Sequence, residues 1–544
     1  MRFHRLLVSC LSMLTLALLT GPVAAQSSAQ PLPNPSANDA TAGANITLGL
    51  PAATYYEAAT RSLRRGRSFQ RAIAQLTEAA RQQPGNADYH LALGCALASR
   101  AAALGEAAAS LEQFARDKSK YQNWLTAWEA GQRNPDDAAY KQPRPQPPAL
   151  RTKDDEKPFT LTRGEAAEQF ATLATAAVAE WDRALTLAKT DEERAEAYYV
   201  RGWGIYLLHN FGEVVASDTV EKLPAVEQAL KDLQAATEAA PDEALYWQSL
   251  GDLYLCEDGA KSGPALIAAG LDRSGLAAYQ RASLSDKRNA GLWYRLYELQ
   301  SETDPEQAKI ALRQAALSDP GNAYPSYRLA GLLFYETPYS LFHKEMRTAV
   351  KTRSDIPPRE ETIKRVLVGA NTVTRTAAQE AVACIERGNR AARYAVPTYR
   401  PAVPPLLSAA WNFRRHYWLK DTAVNIIVWH TVSVSAEGYA LAAAEQKDGA
   451  EGVRAALAII GMGEKMTGNL WERQPPLDTH TNVTLQVSVA TTMTGYQTLA
   501  DVYQILGEDN RAAQARSARA DLVQRLRTRR QADNAARQRT YGDG

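Results

Sequence analysis

The chain has 544 residues, of which 45% are hydrophobic, and its 62 basic residues nearly balance its 60 acidic ones. A nucleic-acid-binding protein usually carries a basic surplus, so this balance argues against that class. The many alanines and the scarcity of β-branched runs favour an all-α protein.

Residues 1–25 are typical of a secretory signal peptide. Two arginines precede the apolar run Leu6–Leu19, and Val23-Ala24-Ala25 supplies small residues for cleavage before Gln26. An uncleaved anchor is the alternative, but the run is shorter than the roughly 20 residues that span a bilayer. We therefore expect an exported chain, periplasmic or extracellular after cleavage near Ala25. Residues 26–50 are rich in Pro, Ser, Ala and Asn, which predicts a disordered leader.

A pattern of small, large, small and proline residues recurs from residue 51 onwards, at the spacing of a helix that a proline ends. Its three clearest copies are Ala72, Leu76, Ala79 and Pro84; Ala229, Leu233, Ala236 and Pro241; and Ala308, Leu312, Ala315 and Pro320.

A second pattern follows these copies. Trp247, Leu250, Gly251 and Tyr254 lie at i, i+3, i+4 and i+7, on one stripe of a helix. Glycine inside a helix costs ~1 kcal/mol against alanine, so Gly251 predicts that another helix packs closely there. An ordinary amphipathic helix with a chance glycine is the alternative for one copy. Partial copies are Leu93 and Gly94; Trp293 and Leu296; and Tyr496, Leu499, Ala500 and Tyr503.

Together the two patterns resemble the tetratricopeptide repeat (TPR) family, whose unit is a pair of helices of about 34 residues. The resemblance implies an all-α solenoid of stacked antiparallel helix pairs over 51–337, with degenerate pairs over 433–530. It also implies protein or peptide partners, whose identity the sequence does not give. Because alanine occupies the glycine position at Ala500, we expect Gly251→Ala to be tolerated.

Several segments interrupt the repeats. Residues 134–158 are a proline-rich, charged insertion, and 338–432 predict an irregular helical region. Within the first repeats, separate helices are predicted over 88–103 and 106–128. Residues 531–544 predict a polar tail, and the arginines around it are interpreted as a solvated terminal helix, with contact to anionic lipid as the alternative.

No catalytic, metal or cofactor motif is found. No histidine has a second histidine or cysteine at zinc spacing, and no carboxylate pair stands out as acid and base. Cys95, Cys256 and Cys384 are interpreted as buried thiols, since they lie far apart and their number is odd. The aromatic and arginine stretch Trp411–Trp418 is interpreted as a core helix, with nucleic-acid or membrane contact as the alternative. We expect a protein without enzymatic activity or cofactor.

In TPR proteins, fixed positions of each first helix line a concave groove. The resemblance assigns such positions to Gln248, Asp252, Tyr294, Glu298, Tyr324 and Tyr327. These residues differ from the basic residues that hold a peptide carboxylate in chaperone-binding TPR domains. A groove rich in tyrosine and acid would suit an apolar or basic peptide.

Two alternatives stand beside this interpretation. The tyrosines could instead fill space between helices. A second functional class, an enzyme-associated or small-ligand-binding helical protein, would place its site in the 338–432 region.

Overall fold

The structure is a computed structural model. It describes residues 49–131, 162–215, 226–257, 271–301, 303–341, 344–345, 359–395, 402–408, 431–468, 470–474 and 479–541. The signal peptide, nearly all of the leader, the insertion 134–158 and the Trp411–Trp418 stretch lie outside these residues. Over the described ranges the chain is helical and forms no β-strand, which confirms the predicted all-α class.

The described chain divides into two compact units. The N-terminal unit comprises 49–286 and 402–408, and the C-terminal unit comprises 287–395 and 431–541. The short segment 402–408 thus belongs with helices more than a hundred residues before it.

The N-terminal unit is built from eight described helices. They are α1 (Ala52–Arg65), α2 (Phe69–Gln82), α3 (Ala87–Gly131), α4 (Arg163–Leu187), α5 (Asp191–Val215), α6 (Val226–Ala239), α7 (Ala244–Glu257) and α8 (Leu271–Ser285). Consecutive helices pack as pairs, α1 on α2, α3 on α4, α5 on α6 and α7 on α8, and neighbouring pairs contact each other. This is the arrangement of a TPR-like solenoid.

The C-terminal unit continues the same arrangement. Its described helices are α9 (Ala290–Gln300), α10 (Pro305–Ser318), α11 (Ala323–Tyr335), α12 (Arg359–Gly369), α13 (Thr372–Arg390), α14 (431–445), α15 (Gly449–Thr467), α16 (Thr479–Ile505) and α17 (Asp509–Tyr541). Helix α9 pairs with α10, α11 with α13, and α16 packs against both α15 and α17. Helix α17 runs through most of the segment 531–544, for which the sequence predicts a polar tail.

The recurring small and large residues form the cores of the pairs. Every alanine and leucine of the three second-helix copies is fully buried. Among the first-helix residues, Leu250 is 5% exposed, and a Cβ on Gly251 would lie 2.8 Å from the ring of Tyr279 on α8. A Cβ on Gly94 would likewise lie 2.4 Å from Nε1 of Trp181 on α4. The glycines therefore sit where a bulky residue of the paired helix crosses.

The two signature tryptophans make the same contact in different units. The indole N–H of Trp247 donates to the carbonyl of Pro241 at 2.8 Å, and that of Trp293 donates to the carbonyl of Lys287 at 3.0 Å. Each tryptophan thus ties its helix to the turn six residues earlier, because both repeats place the turn and the helix at the same spacing.

Helix α3 is continuous where the sequence predicts two helices. It spans 45 residues, and Gly105 lies inside it. A Cβ on Gly105 would lie 2.9 Å from Cβ of Phe211 on α5. This glycine allows close packing of α5 and does not end the helix.

One described segment, Ala87–Ala108 at the start of α3, is long and apolar enough to cross a membrane by length and composition. Its most apolar window is 94% buried against other parts of the protein, as in the core helix of a globular domain.

Candidate functional site

The predicted groove residue Asp252 lies in the N-terminal unit and contacts a segment of its own chain. Its side chain is only 2% exposed. One carboxylate oxygen accepts a hydrogen bond from the hydroxyl of Tyr279, and the other accepts the backbone N–H of Ala402 at 2.7 Å. Asp252 therefore binds the main chain of a segment that lies 150 residues further along the sequence.

The carbonyl group of Ala402 is bound from the other side. It accepts a hydrogen bond from the hydroxyl of Tyr199 on α5 at 2.9 Å, and Oγ of Ser249 on α7 lies at 2.9 Å as well. Oγ of Ser249 is also 2.8 Å from the carbonyl of Leu245, so its single proton can go to either acceptor. Side chains thus bind both the N–H and the carbonyl of Ala402.

The hydroxyl of Tyr199 is a neutral donor, and burial makes its ionisation still less favourable. The pKa of Tyr199 is raised far above its ordinary value, first by burial and then by the nearby charge of Asp252. Its hydroxyl therefore remains protonated and donates at any physiological pH. The ring of Tyr199 packs against that of Tyr246 with centroids 5.3 Å apart, which fixes its direction.

Apolar side chains anchor the rest of the segment. Leu407 is fully buried in the core of the N-terminal unit, and Val403 and Leu406 pack against that core while half-buried. The backbone of 402–404 has no regular secondary structure. It then turns, and the N–H groups of Leu407 and Ser408 donate to the carbonyl of Pro404 at 2.9 and 3.0 Å. The N-terminal unit thus holds a short irregular segment by its main chain and by one buried leucine.

Gln248, the other predicted groove residue of α7, is half-buried one turn before Asp252. The sequence singled out both residues, but not Tyr199, Ser249 or the segment 402–408. Tyr199 belongs to a helix without a matched signature. The proline punctuation of Pro401, Pro404 and Pro405 marks a non-helical segment, but nothing in it indicates which helices it contacts.

In the C-terminal unit the three predicted groove tyrosines are buried. Tyr294, Tyr324 and Tyr327 are 4%, 1% and 0% exposed. The hydroxyls of Tyr294 and Tyr324 lie 2.8 Å apart, and the hydroxyl of Tyr327 donates to Oδ1 of Asn389 on α13 at 2.8 Å. Tyr327 on α11 thus packs against α13, whereas Tyr294 on α9 packs against Tyr324 on α11.

Residues 391–395 complete that cover. The N–H of Ala323 donates to the carbonyl of Arg393, and the N–H of Arg393 donates to the carbonyl of Gly321, both at 2.9 Å. The ring of Tyr394 lies 5.9 Å from that of Tyr324 and 6.3 Å from that of Tyr327. These contacts correspond to the space-filling interpretation of the tyrosines. Their binding of a partner stays a prediction.

Glu298, the remaining predicted groove residue, pairs with Arg295 at 2.9 Å on the same helix. Nearby Arg328 on α11 is 8% exposed, and its Nη2 donates to the hydroxyl of Tyr297. Nε and Nη1 of Arg328 have no hydrogen-bond partner in the described structure. The guanidinium carbon lies 5.0 Å from the centre of the Tyr297 ring, but the two donor atoms without a hydrogen bond still carry a desolvation cost.

The described residues contain no cluster of three or more His, Cys, Asp and Glu side chains that could hold a metal ion. His90 is buried. Its Nδ1 lies 2.6 Å from Glu180 and its Nε2 lies 3.1 Å from the carbonyl of Pro84, so both ring nitrogens are engaged in hydrogen bonds within the fold. Cys95 and Cys384 are buried free thiols, and burial raises the pKa of Cys95 to about 12 and that of Cys384 to about 11. Such thiols are poor nucleophiles.

In the region 338–432, the described residues discussed above pack against other helices of the chain. Helix α13 packs against Tyr327 of α11, and the main chain of 402–408 is bound by Tyr199, Ser249 and Asp252 of the N-terminal unit. The stretch Trp411–Trp418 lies outside the described residues.

No family model and no curated protein matches the chain. A comparison of structures finds similarity to the crystal structure of the yeast Tom70, with 12% sequence identity over 91% of this chain and 91% of that chain. The TM-score is 0.19, so this similarity carries no argument about what the chain binds.

Proposed function

We propose that the chain is a scaffold that holds partner proteins by binding extended segments of their chains in the groove of the N-terminal unit. One observation carries this proposal. Tyr199, Ser249 and Asp252 bind both main-chain groups of a single residue, Ala402, in a segment without regular structure. Main-chain hydrogen bonds combined with pockets for side chains are a general way to recognise peptides.

The same geometry limits the ligand. A segment in this groove must offer an unsubstituted N–H to Asp252 and a carbonyl to Tyr199, so it lies extended at that point. The neighbouring apolar core, which buries Leu407, favours an apolar side chain five residues further on.

The cellular location is proposed from the sequence alone. The basic start, apolar run and Val23-Ala24-Ala25 support export to the cell envelope or to the outside of the cell. Terminal sequencing of exported protein should return a chain that begins at or near Gln26, and a chain that begins at Met1 would contradict export with cleavage. We infer a non-catalytic role, which the helical repeat fold supports.

Photo-crosslinking in the native cells tests the scaffold function. A photoreactive residue is placed at Gln248 in the groove and, as a matched control, at Leu284 on α8, which is 58% exposed and lies on the second helix of the same pair. We expect protein adducts at Gln248, few at Leu284, and a decrease at Gln248 in the double variant Tyr199→Phe with Ser249→Ala. Equal adducts at both positions, or none to another protein, would contradict the proposal.

A further inference from the structure

The segment 402–408 meets the requirements of a ligand for the groove in which it lies. It is separated by 203 residues from Tyr199 and by 153 from Ser249, so chain connectivity does not force these contacts. Each contact that it makes is one that a separate peptide could make: two main-chain hydrogen-bonded groups, a turn, and one buried leucine.

Each part of the segment matches a feature of the groove. Ala402 is 8% exposed and small, so its backbone can approach the carboxylate of Asp252 and the hydroxyl of Tyr199. Pro404 is buried and has no N–H that would need a partner. Leu407 is fully buried, and its burial makes it the apolar anchor. The segment is also uncharged, so no second ion has to be desolvated beside Asp252.

We infer that residues 402–408 are a ligand in cis that closes the groove, and that the partner segment displacing it has the same chemistry. That partner segment is neutral. It is extended only at a small residue with an unsubstituted N–H, turns at a proline two or three residues later, and has leucine five residues later. This inference rests on the proposed function and adds to it the class of partner and its regulation. The cis segment is part of the same chain and competes with any free ligand, so free peptide should bind the intact chain weakly.

Binding of a synthetic peptide to the full chain tests the inference. The probe is a fluorescent peptide that matches residues 399–409, measured by anisotropy. The groove is opened by Ala402→Pro, which removes the N–H that Asp252 accepts at 2.7 Å and puts a ring carbon in its place. A second opening variant, Leu407→Ala, removes the anchor. The matched control peptide carries N-methylalanine at the position of Ala402.

We expect the opened chains to bind the peptide at least tenfold more tightly than the wild-type chain. The N-methylated peptide should bind the opened chains about tenfold more weakly than the unmodified one. Adding Tyr199→Phe and Ser249→Ala to an opened chain should weaken peptide binding to a similar degree, because the carbonyl of Ala402 loses both donors.

Three results would overturn the inference. They are equal peptide affinity in wild-type and opened chains, no binding to an opened chain whose circular dichroism and cooperative unfolding are intact, and loss of the fold in both opening variants. The last result would make 402–408 a fixed part of the core. If groove adducts form at Gln248 in cells while the peptide fails to bind a folded opened chain, the scaffold function stands and this inference falls.

Discussion

At Gly251, the ring of Tyr279 leaves no room for a side chain. A Cβ there would lie 2.8 Å from both Cδ2 and Cε2 of the ring, which is fully buried and whose hydroxyl donates to Asp252. Because the ring is held at both ends, Gly251→Ala should overpack the pair and lower the free energy of unfolding by ~1–3 kcal/mol. Urea unfolding measures this. The control is Gly85→Ala, where a Cβ would meet nothing within 4 Å.

This expectation reverses the tolerance that the alanine at Ala500 suggests. The repeat pattern identifies a position where small residues occur, but the size that fits depends on the side chain opposite. An unchanged urea midpoint for Gly251→Ala would show that Tyr279 can move aside.

The ring of Tyr327 is packed as tightly. It is fully buried, and a Cβ on Gly388 would lie 2.3 Å from its Cε1. We expect Tyr327→Ala to cost ~3–5 kcal/mol, as truncation of a buried aromatic ring does. Tyr327→Phe loses the hydrogen bond to Asn389 and keeps the ring, so it should cost about 1 kcal/mol. Thermal and urea unfolding of both variants test this, and an alanine variant as stable as the wild type would show that the ring is not part of the core.

Arg328 and Arg201 should respond in opposite directions to the same substitution. Arg328 has two unpaired donor atoms, so Arg328→Met should leave stability unchanged or raise it by ~1 kcal/mol or more. Arg201 instead binds Asp232 through two hydrogen bonds of 2.7 Å, and the Asp232 side chain is 1% exposed. Arg201→Met should therefore cost ~3–5 kcal/mol, because it leaves a buried carboxylate without its cation. Equal melting temperatures for the two variants would contradict this account.

At the scale of elements, helices α13 and α15 are joined by a pair of charges. Arg454 donates two hydrogen bonds to the carboxylate of Glu386, at 2.8 and 2.7 Å, and these bonds lower the pKa of Glu386. The folded pKa lies below the unfolded value near 4.5, so the pair stabilises the protein above that pH. This contribution is lost as the pH falls through the folded pKa.

The two side chains are 37% and 30% exposed, so solvent screening keeps the contribution below about 1 kcal/mol. Glu386→Gln should lower stability slightly at pH 7 and reduce the loss of stability between pH 5 and pH 3. Urea midpoints at both pH values measure this, and an identical pH dependence in the variant would contradict the assignment.

The sequence predicts elements well where both helices of a pair carry the pattern. In α2, α6 and α10, proline follows a helix whose small residues are buried. There the helix propensity of the residues and their packing favour the same helix bounds. In α3 they disagree, because Gly105 weakens the helix locally while Phe211 requires a glycine there. That requirement comes from a helix about a hundred residues away, so a local pattern cannot contain it.

For the whole molecule, the all-α solenoid could be predicted because each repeat packs mainly on its neighbours in sequence. The candidate site could be predicted only in part. Asp252 follows from its position on a first helix, whereas its contact with Ala402 joins residues 150 apart. The cover of Tyr327 by α13 and of Tyr324 by residues 391–395 likewise depends on segments without the repeat pattern. Nothing in a local spacing encodes which distant segment fills a groove.

The length of α3 has a consequence for amide hydrogen exchange. At ~1.5 Å per residue its 45 residues extend about 68 Å, and its residues 91–105 are buried while most of 118–130 are exposed. Backbone amides in the buried half should exchange with solvent only on global unfolding. Those of 118–130 should exchange by local fraying, because a helical stretch of this length is marginal in water by itself. Exchange followed by mass spectrometry should therefore show a gradient of protection along one unbroken helix, and uniform protection would mean that another surface covers its second half.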